Sequence, residues 1–142
     1  MVKVDTNGTN PAMVRELIDK KLVDFIAMDI KASLIEEKYS RASGVNTKSL
    51  LGRITETVDI LLKGEVEYEF RTTVVPRLHG EEDVEEICRR IKGCRKYAIQ
   101  NFKADVETVN PRFKKLKPFS EGRMKTFVRT AKKIVPNVIL RD

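Results

Sequence analysis

The amino-acid sequence predicts an α/β protein with an open parallel sheet of four to five strands and covering helices, as in an incomplete TIM-like (β/α) barrel. Apolar runs of strand length alternate with helical patterns, most of ten or more residues, which is typical of βαβ units. The run from Val23 to Ile30 is mostly apolar, as in a parallel strand that is covered on both faces. Four or five strands are too few to close an eight-stranded barrel, which takes about 250 residues.

Length and composition set further bounds. The chain has 142 residues, of which 41% are hydrophobic and 35% are charged. These values predict a single folded domain over residues 1–142 and exclude a disordered or collagen-like chain. The apolar runs are too short for a membrane-spanning helix or for the core of a signal peptide. We therefore expect a cytoplasmic protein without a membrane partner.

The first elements are a strand, a helix and a second strand. The first strand begins at residues 2–5. Asn10 and Pro11 then provide an N-cap and a proline at the first helical position. Apolar residues at helical spacing extend this helix over residues 11–20, and the strand at 23–30 follows.

The middle of the chain predicts two helices and the strongest strand. A short helix is expected around residues 34–39, and a long one from about 47 to 63 that ends at Gly64. The strand at 68–75 is rich in aromatic and β-branched residues and stops at Pro76.

The last part repeats the alternation. Acidic residues at 81–86 favour a helix start, because they complement the helix dipole. A strand is expected at 96–102 and a loop at 103–118. Ser120 is positioned to cap the last helix, and residues 138–140 predict a final strand.

Positive charge is concentrated near the C-terminus. The whole chain has a formal net charge of +7, and residues 112–141 contain ten basic side chains and one acid, Glu121. Such a region could meet nucleic acid or an acidic partner, or it could be a solvated helix face. Few aromatic residues interleave these charges, so we do not expect a nucleic-acid partner.

The predicted strands change from apolar to polar residues in their C-terminal halves. Ligands bind beyond the carboxyl ends of the strands in parallel α/β sheets, and residues two apart on a strand share a face. Acidic side chains could bind an ammonium group there, and basic ones a carboxylate, so the set suits a zwitterion. The alternative is that these side chains form an ion-pair network at the strand ends and bind no ligand. The polar residues concerned are Asp5, Asn7, Asp29, Lys31, Arg71, Thr73, Gln100 and Asn101.

Other reactive residue types give weaker signals. His79 is the only histidine, and its place in a loop before Gly80 predicts a surface side chain. Cys88 lies on the apolar stripe of a helix and is interpreted as a core residue. Cys94 follows a glycine and is expected to be partly exposed. Two cysteines are too few for a four-cysteine zinc site or a secreted disulfide framework.

Four motifs occur in order along the chain: DTNGTNP at 5–11, DFIAMDIKA at 24–32, EFRTTVVP at 69–76 and YAIQNF at 97–102. Together they resemble the C-terminal part of a radical S-adenosylmethionine (SAM) activating enzyme. The resemblance is greatest to activating proteins of anaerobic ribonucleoside-triphosphate reductases, with pyruvate formate-lyase activating enzymes as near relatives. It covers nearly the whole chain and implies a (β/α)4-like part of a partial barrel that has six units in the family.

The resemblance also implies an oxidoreductase chemistry and its cofactors. In the family, a [4Fe–4S] cluster reductively cleaves SAM to a 5′-deoxyadenosyl radical, which takes a hydrogen atom from a glycine of a partner enzyme. It implies that Asp29 and Lys31 lie near the amino acid part of SAM, with Arg71 within reach and Gln100 near the ribose or adenine. Some relatives have a ribose-contacting histidine where this chain has Lys103.

A cation site is implied as well. Asp5 and Thr6, together with Asp29, match positions that bind a monovalent cation beside the cofactor in some relatives.

Two family motifs do not occur in this sequence. The C-x-x-x-C-x-x-C cluster loop of the first strand and the Gly-Gly-Glu motif after the second are absent. Cys88 and Cys94 cannot replace three thiolates that hold a cluster. We therefore expect that this polypeptide alone cannot make the radical, and that it is truncated: an expressed fragment, a broken or late-started gene, or half of a split enzyme. An exposed sheet edge then predicts self-association.

Two functional hypotheses follow. The first is the cofactor-binding part of a radical SAM enzyme that activates a glycyl-radical partner of the anaerobic ribonucleotide reductase or pyruvate formate-lyase type. The second is a non-catalytic half-barrel that docks a protein or nucleic acid through its basic C-terminal helix. The pocket residues favour the first.

Overall fold

The computed structural model describes residues 1–43, 50–103 and 116–141, which form five strands and five helices. The strands are β1 (Lys3–Thr6), β2 (Phe25–Asp29), β3 (Glu67–Val74), β4 (Tyr97–Asn101) and β5 (Val138–Arg141). The helices are α1 (Pro11–Asp19), α2 (Glu36–Ser43), α3 (Leu51–Leu62), α4 (Glu81–Arg90) and α5 (Glu121–Lys132).

All five strands are parallel, and they lie in the sheet in chain order, β1-β2-β3-β4-β5. Each connection between neighbouring strands contains at least one helix. This open sheet with interposed helices is the predicted incomplete (β/α) barrel, so the fold class is confirmed. The strand expected at residues 138–140 is present as β5.

One face of the sheet is apolar and covered by the helices. Directly paired residues of parallel strands share a face, which puts Met28 beside Phe70, and Phe70 beside Tyr97. All three are fully buried and belong to the same core as Val58 of α3 and Phe127 of α5. The hydrophobic effect of this burial is the main force that holds helices to sheet.

The opposite face carries charged side chains, and we call it the polar face. Two small residues on this face, Ala27 of β2 and Ala98 of β4, are almost fully buried. Because alanine has no long side chain, groups on the flanking strands can reach across these positions. The polar face contains Asp5, Asp29, Glu69, Arg71, Gln100 and Arg141.

Two helix starts follow the predicted capping chemistry. The Asn10 side chain accepts a hydrogen bond from the Met13 N–H at 3.0 Å, and the Ser120 hydroxyl accepts one from the Arg123 N–H at 3.2 Å. Gly64 lies just beyond α3 with a φ of 71°, which suits glycine.

One helix is displaced from its prediction. The short helix expected around residues 34–39 begins instead at Glu36 and continues to Ser43. Tyr39 and Ala42 are three residues apart and both pack on the core, which extends the helix past Tyr39. Most of the loop expected at 103–118 lies outside the described residues.

Candidate functional site

The first feature of the site is an ion triad on the polar face. Asp29 and Arg71 are direct partners in the β2–β3 register, and the Arg71 Nε donates to Asp29 Oδ1 at 2.9 Å. Arg71 Nη1 also lies 3.5 Å from Asp5 Oδ1 on β1. The side chain of Arg71 is 19% exposed, against 37% for Asp29 and 62% for Asp5. The structure therefore brings three of the predicted residues into one cluster, with a cation between two carboxylates.

Gln100 lies on the same face, two strands from Asp29. It pairs in register with Thr73, two residues beyond Arg71 along β3. It is half-buried, so its amide remains accessible from the side of the polar face.

Thr6 lies on the other side of the sheet. Its register partner is the core residue Met28, and its hydroxyl accepts a hydrogen bond from the Gly8 N–H at 3.0 Å. The Thr6 hydroxyl therefore lies across the sheet from the carboxylates of Asp5 and Asp29. The space between those two carboxylates holds the Arg71 guanidinium, so the implied cation site stays a prediction.

Lys31 follows the last residue of β2 by two positions and has an exposed side chain. It borders a cavity of about 250 Å³ at the carboxyl end of the first strands. Tyr39, Leu50 and Ile54 give this cavity an apolar wall, and Asn7 adds a polar group. Lys31 is thus near the ion triad in sequence, and its side chain is exposed.

A second charged cluster on the polar face was not predicted from the sequence. Glu69 is 1% exposed, and its two carboxylate oxygens accept from Arg141 Nη1 and Nη2 at 2.7 and 3.0 Å. Lys96 Nζ lies 3.4 Å from Glu69 Oε2. Burial alone would raise the pKa of Glu69, but the hydrogen bonds and charge of Arg141, with the charge of Lys96, outweigh it and lower the pKa.

A sequence signal for Glu69 does exist. A single glutamate stands between Tyr68 and Phe70 in the most apolar part of the predicted strand. Its position two residues before Arg71 places both charges on one face. A charged residue between two aromatic residues of a strand indicates a buried partner. The chief partner of Glu69 is Arg141, which lies in β5.

The expectation for His79 is wrong. Its side chain is buried, with 7% exposure, because both ring nitrogens have backbone partners. The Val75 N–H donates to Nδ1 at 2.9 Å, and Nε2 lies 2.7 Å from the Lys31 carbonyl oxygen. A surface histidine has no need of such partners, and nothing in the sequence pattern indicates them.

The cysteines lie away from the polar face. Cys88 is fully buried in α4, as predicted, whereas Cys94 is 7% exposed and not partly exposed as expected. Both thiols are free, and burial raises the pKa of Cys88 to about 12 and that of Cys94 to about 11. The Cys94 N–H bonds to the Ile91 carbonyl, and this turn folds the residue inward.

The described residues offer neither a metal-ligand set nor a helix that could span a membrane. Among them, no group of three or more His, Cys, Asp or Glu side chains is arranged to hold a metal ion. The described thiols therefore do not fit a [4Fe–4S] cluster, which needs three thiolates. In the same part of the chain, none of the helices combines the length and the apolar character needed to cross a bilayer.

The basic C-terminal helix contains both ion-paired and exposed charges. In α5, Lys125 pairs with Glu121, and Arg123 pairs with Glu81. Arg129 and Lys132 are exposed in the last turn, where the helix dipole favours cations. The helix dipole is sufficient to explain why these basic residues lie in the last turn of α5. Their position therefore gives no separate support to the hypothesis that α5 docks a protein or nucleic acid.

Comparison with known proteins adds a relative. Over 140 residues, the chain is 36% identical to a Methanocaldococcus jannaschii protein named "putative glycyl-radical enzyme activating enzyme". The chain resembles a glycyl-radical activating enzyme along almost its whole length. The aligned region makes up 99% of this chain and 58% of that protein. No protein-family model matches the chain.

This similarity confirms the resemblance to the activating enzymes that the four motifs indicated. The chain spans somewhat more than half the length of that relative.

Proposed function

We propose that the polar face binds the amino acid part of SAM, as part of a radical SAM enzyme that generates a glycyl radical on a partner protein. The observation that carries this proposal is the direct contact between Asp29 and Arg71, with Asp5 at the same guanidinium. The resemblance implies the cofactor, and the relative's name supports the class of enzyme.

The charge of the triad suits a zwitterionic, sulfonium-bearing ligand. Two carboxylates and one guanidinium have a formal charge of −1, so a cationic ligand is attracted to this cluster. Arg71 uses Nε and Nη1 for the carboxylates, and guanidinium has five N–H donors. Its remaining donors can therefore bind a ligand carboxylate while Asp29 and Asp5 stay paired.

Asp29 and Lys31 complete the proposed contacts. Arg71 engages Oδ1 of Asp29, and a carboxylate has acceptor sites on both oxygens, so Oδ2 can accept from an ammonium group. The exposed Lys31 amine can meet the ligand carboxylate as a second cation. Gln100 is accessible on the same face for a ribose hydroxyl or an adenine edge, since an amide both donates and accepts.

The cofactor chemistry belongs to the complete family protein. There, a [4Fe–4S] cluster would supply the electron for reductive cleavage of SAM. The described residues of this chain offer no ligand set for that cluster, so their proposed part is limited to binding and orienting SAM. The glycyl-radical partner is likewise part of the proposal.

The test is to measure SAM binding to the chain by NMR titration, a method that detects weak affinities. We expect that Asp29→Ala and Arg71→Ala each weaken binding at least tenfold, since each removes a charge-assisted hydrogen bond. Arg95→Ala is the matched control, because Arg95 forms an exposed ion pair with Glu67 at 2.9 Å beside the opposite ends of the strands. Unchanged affinity in both site variants would refute the proposal.

A further inference from the structure

The backbone N–H and C=O of Lys31 are held by two buried side chains from different parts of the chain. Its N–H donates to the Tyr39 hydroxyl at 3.2 Å, and its carbonyl oxygen lies 2.7 Å from His79 Nε2. Tyr39 is 2% exposed and His79 is 7% exposed. Both backbone groups of an otherwise exposed residue thus have side-chain partners in the core.

The hydrogen bonds fix the tautomer of His79. Its Nδ1 accepts from the Val75 N–H at 2.9 Å, so the ring proton lies on Nε2. His79 is therefore a donor to the Lys31 carbonyl and an acceptor from the backbone just after β3. It links the chain beyond β2 to the chain beyond β3.

This link continues the sheet after its strand pairing ends. The last paired residues of β2 and β3 on this side are Asp29 and Arg71, and the Ile30 N–H still donates to the Arg71 carbonyl at 2.8 Å. At Lys31, the His79 ring takes the place of the neighbouring strand as the partner of the backbone carbonyl. This contact connects the chain just after the ion triad to the segment that follows β3.

We propose that His79 is a positioning residue that fixes the backbone of Lys31, so that the lysine amine is held beside the Asp29–Arg71 pair for an anionic group of the ligand. This inference rests on the proposed function, because it assumes that Lys31 contacts SAM. Binding through a lysine costs side-chain conformational freedom, and a backbone that is already fixed adds no further ordering cost of its own. Tyr39 assists by holding the N–H of the same residue.

Two substitutions separate the two hydrogen bonds of His79. In His79→Gln, the side-chain nitrogen can replace Nε2 and donate to the Lys31 carbonyl. In His79→Asn, the shorter side chain can place its oxygen where Nδ1 accepts from Val75, but it cannot reach Lys31. The two variants resemble each other in polarity and each keeps one bond, so they are matched controls for general destabilisation.

The experiment measures SAM binding and backbone amide exchange by NMR in both variants and in Lys31→Ala. We expect His79→Gln to bind within about twofold of the wild type and His79→Asn to bind about five- to tenfold more weakly, the loss of one ordinary hydrogen bond. The Lys31 amide should exchange faster in His79→Asn than in His79→Gln. Should His79→Asn fail to fold, Tyr39→Phe removes the other side-chain contact to the backbone of Lys31, with the same expectation of weaker binding.

The results distinguish this inference from the proposed function. If Lys31→Ala weakens binding while the glutamine and asparagine variants bind alike, the proposed site stands and the positioning role of His79 is refuted. If Lys31→Ala, Asp29→Ala and Arg71→Ala all leave affinity unchanged, the proposed site itself is wrong and the positioning role falls with it. Rescue by glutamine alone supports the inference, because a general packing role would not separate the two amides.

Discussion

Glu69 shows how a buried charge can be kept ionised on a sheet. It has cationic partners in the last strand and immediately before β4, and its carboxylate is almost fully buried. Glu69→Gln keeps the shape but removes the charge that Arg141 and Lys96 neutralise. We expect the free energy of unfolding at pH 7 to fall by about 2 kcal/mol, less than for a fully buried pair because both cations are about one-third exposed. Urea unfolding measures this, and Glu67→Gln, in an exposed pair with Arg95, should change it far less.

The same carboxylate predicts a dependence of stability on pH. The folded state lowers the pKa of Glu69 below its usual 4.5, so the folded protein holds the ionised form more strongly than the unfolded chain does. Its contribution is therefore complete above the unfolded pKa and is lost as the pH falls through the folded value. The loss between neutral pH and pH 3 should be smaller in Glu69→Gln than in the wild type. Equal losses in the two proteins would contradict the assignment.

Sequence reasoning placed some of these residues and missed others for physical reasons. The position of Asp29 and Arg71 on one face could be predicted, because each lies in the polar C-terminal half of a strand and strand periodicity fixes its face. The contact between Glu69 and Arg141 spans 72 positions along the chain, and it depends on the register of β3, β4 and β5. In the described part of the chain, the partners of the His79 ring are backbone groups, which leave no trace in the residue types around it.

At the level of secondary-structure elements, the turn after β1 depends on glycine. Gly8 has a φ of 79°, a Cβ there would lie 2.2 Å from Met28 Cε, and its carbonyl accepts from the buried Thr57 hydroxyl at 2.8 Å. Gly93 has a φ of 92°, and a Cβ there would meet nothing within 4 Å. The two glycines share the backbone requirement and differ in the space around them.

This difference gives a matched prediction. Gly93→Ala should cost about 1 kcal/mol of stability, the usual penalty for alanine in the left-handed region. Gly8→Ala should cost about 2–3 kcal/mol, because the Met28 side chain must also move within a packed core. Urea unfolding of both variants checks this, and equal costs would show that Met28 adapts freely.

Element boundaries were predictable where side chains cap helices or glycine ends them, as at Asn10, Ser120 and Gly64. The range of α2 was not predictable from local sequence, because packing of Tyr39 and Ala42 on the core extends the helix. Local sequence thus predicts an element well when its ends have local hydrogen-bond partners, and poorly when its length depends on packing against other elements.

At the level of the whole molecule, the sheet has two open edges. In the described residues, β1 pairs only with β2, and β5 pairs only with β4. Unpaired edge strands present free N–H and C=O groups that can pair with another chain. We expect concentration-dependent self-association, measured by sedimentation velocity, with amide exchange of β1 or β5 slowed at high concentration. A single monomeric species at all concentrations, with unchanged exchange at both edges, would oppose this expectation.

The central strand, β3, contributes a residue to each ion cluster, and this helps to specify its register in the sheet. Glu69 and Arg71 alternate along β3 with Tyr68, Phe70 and Thr72, which face the helices. A slip of β3 by one residue against its neighbours would exchange the two sets. Glu69 and Arg71 would then be buried in the apolar core without counterions, and the rings of Tyr68 and Phe70 would face the polar side of the sheet. A folding intermediate with a shifted β3 is therefore destabilised both by buried charge and by lost aromatic burial. Arg71, which is proposed to bind the cofactor, thus also disfavours incorrect strand pairing.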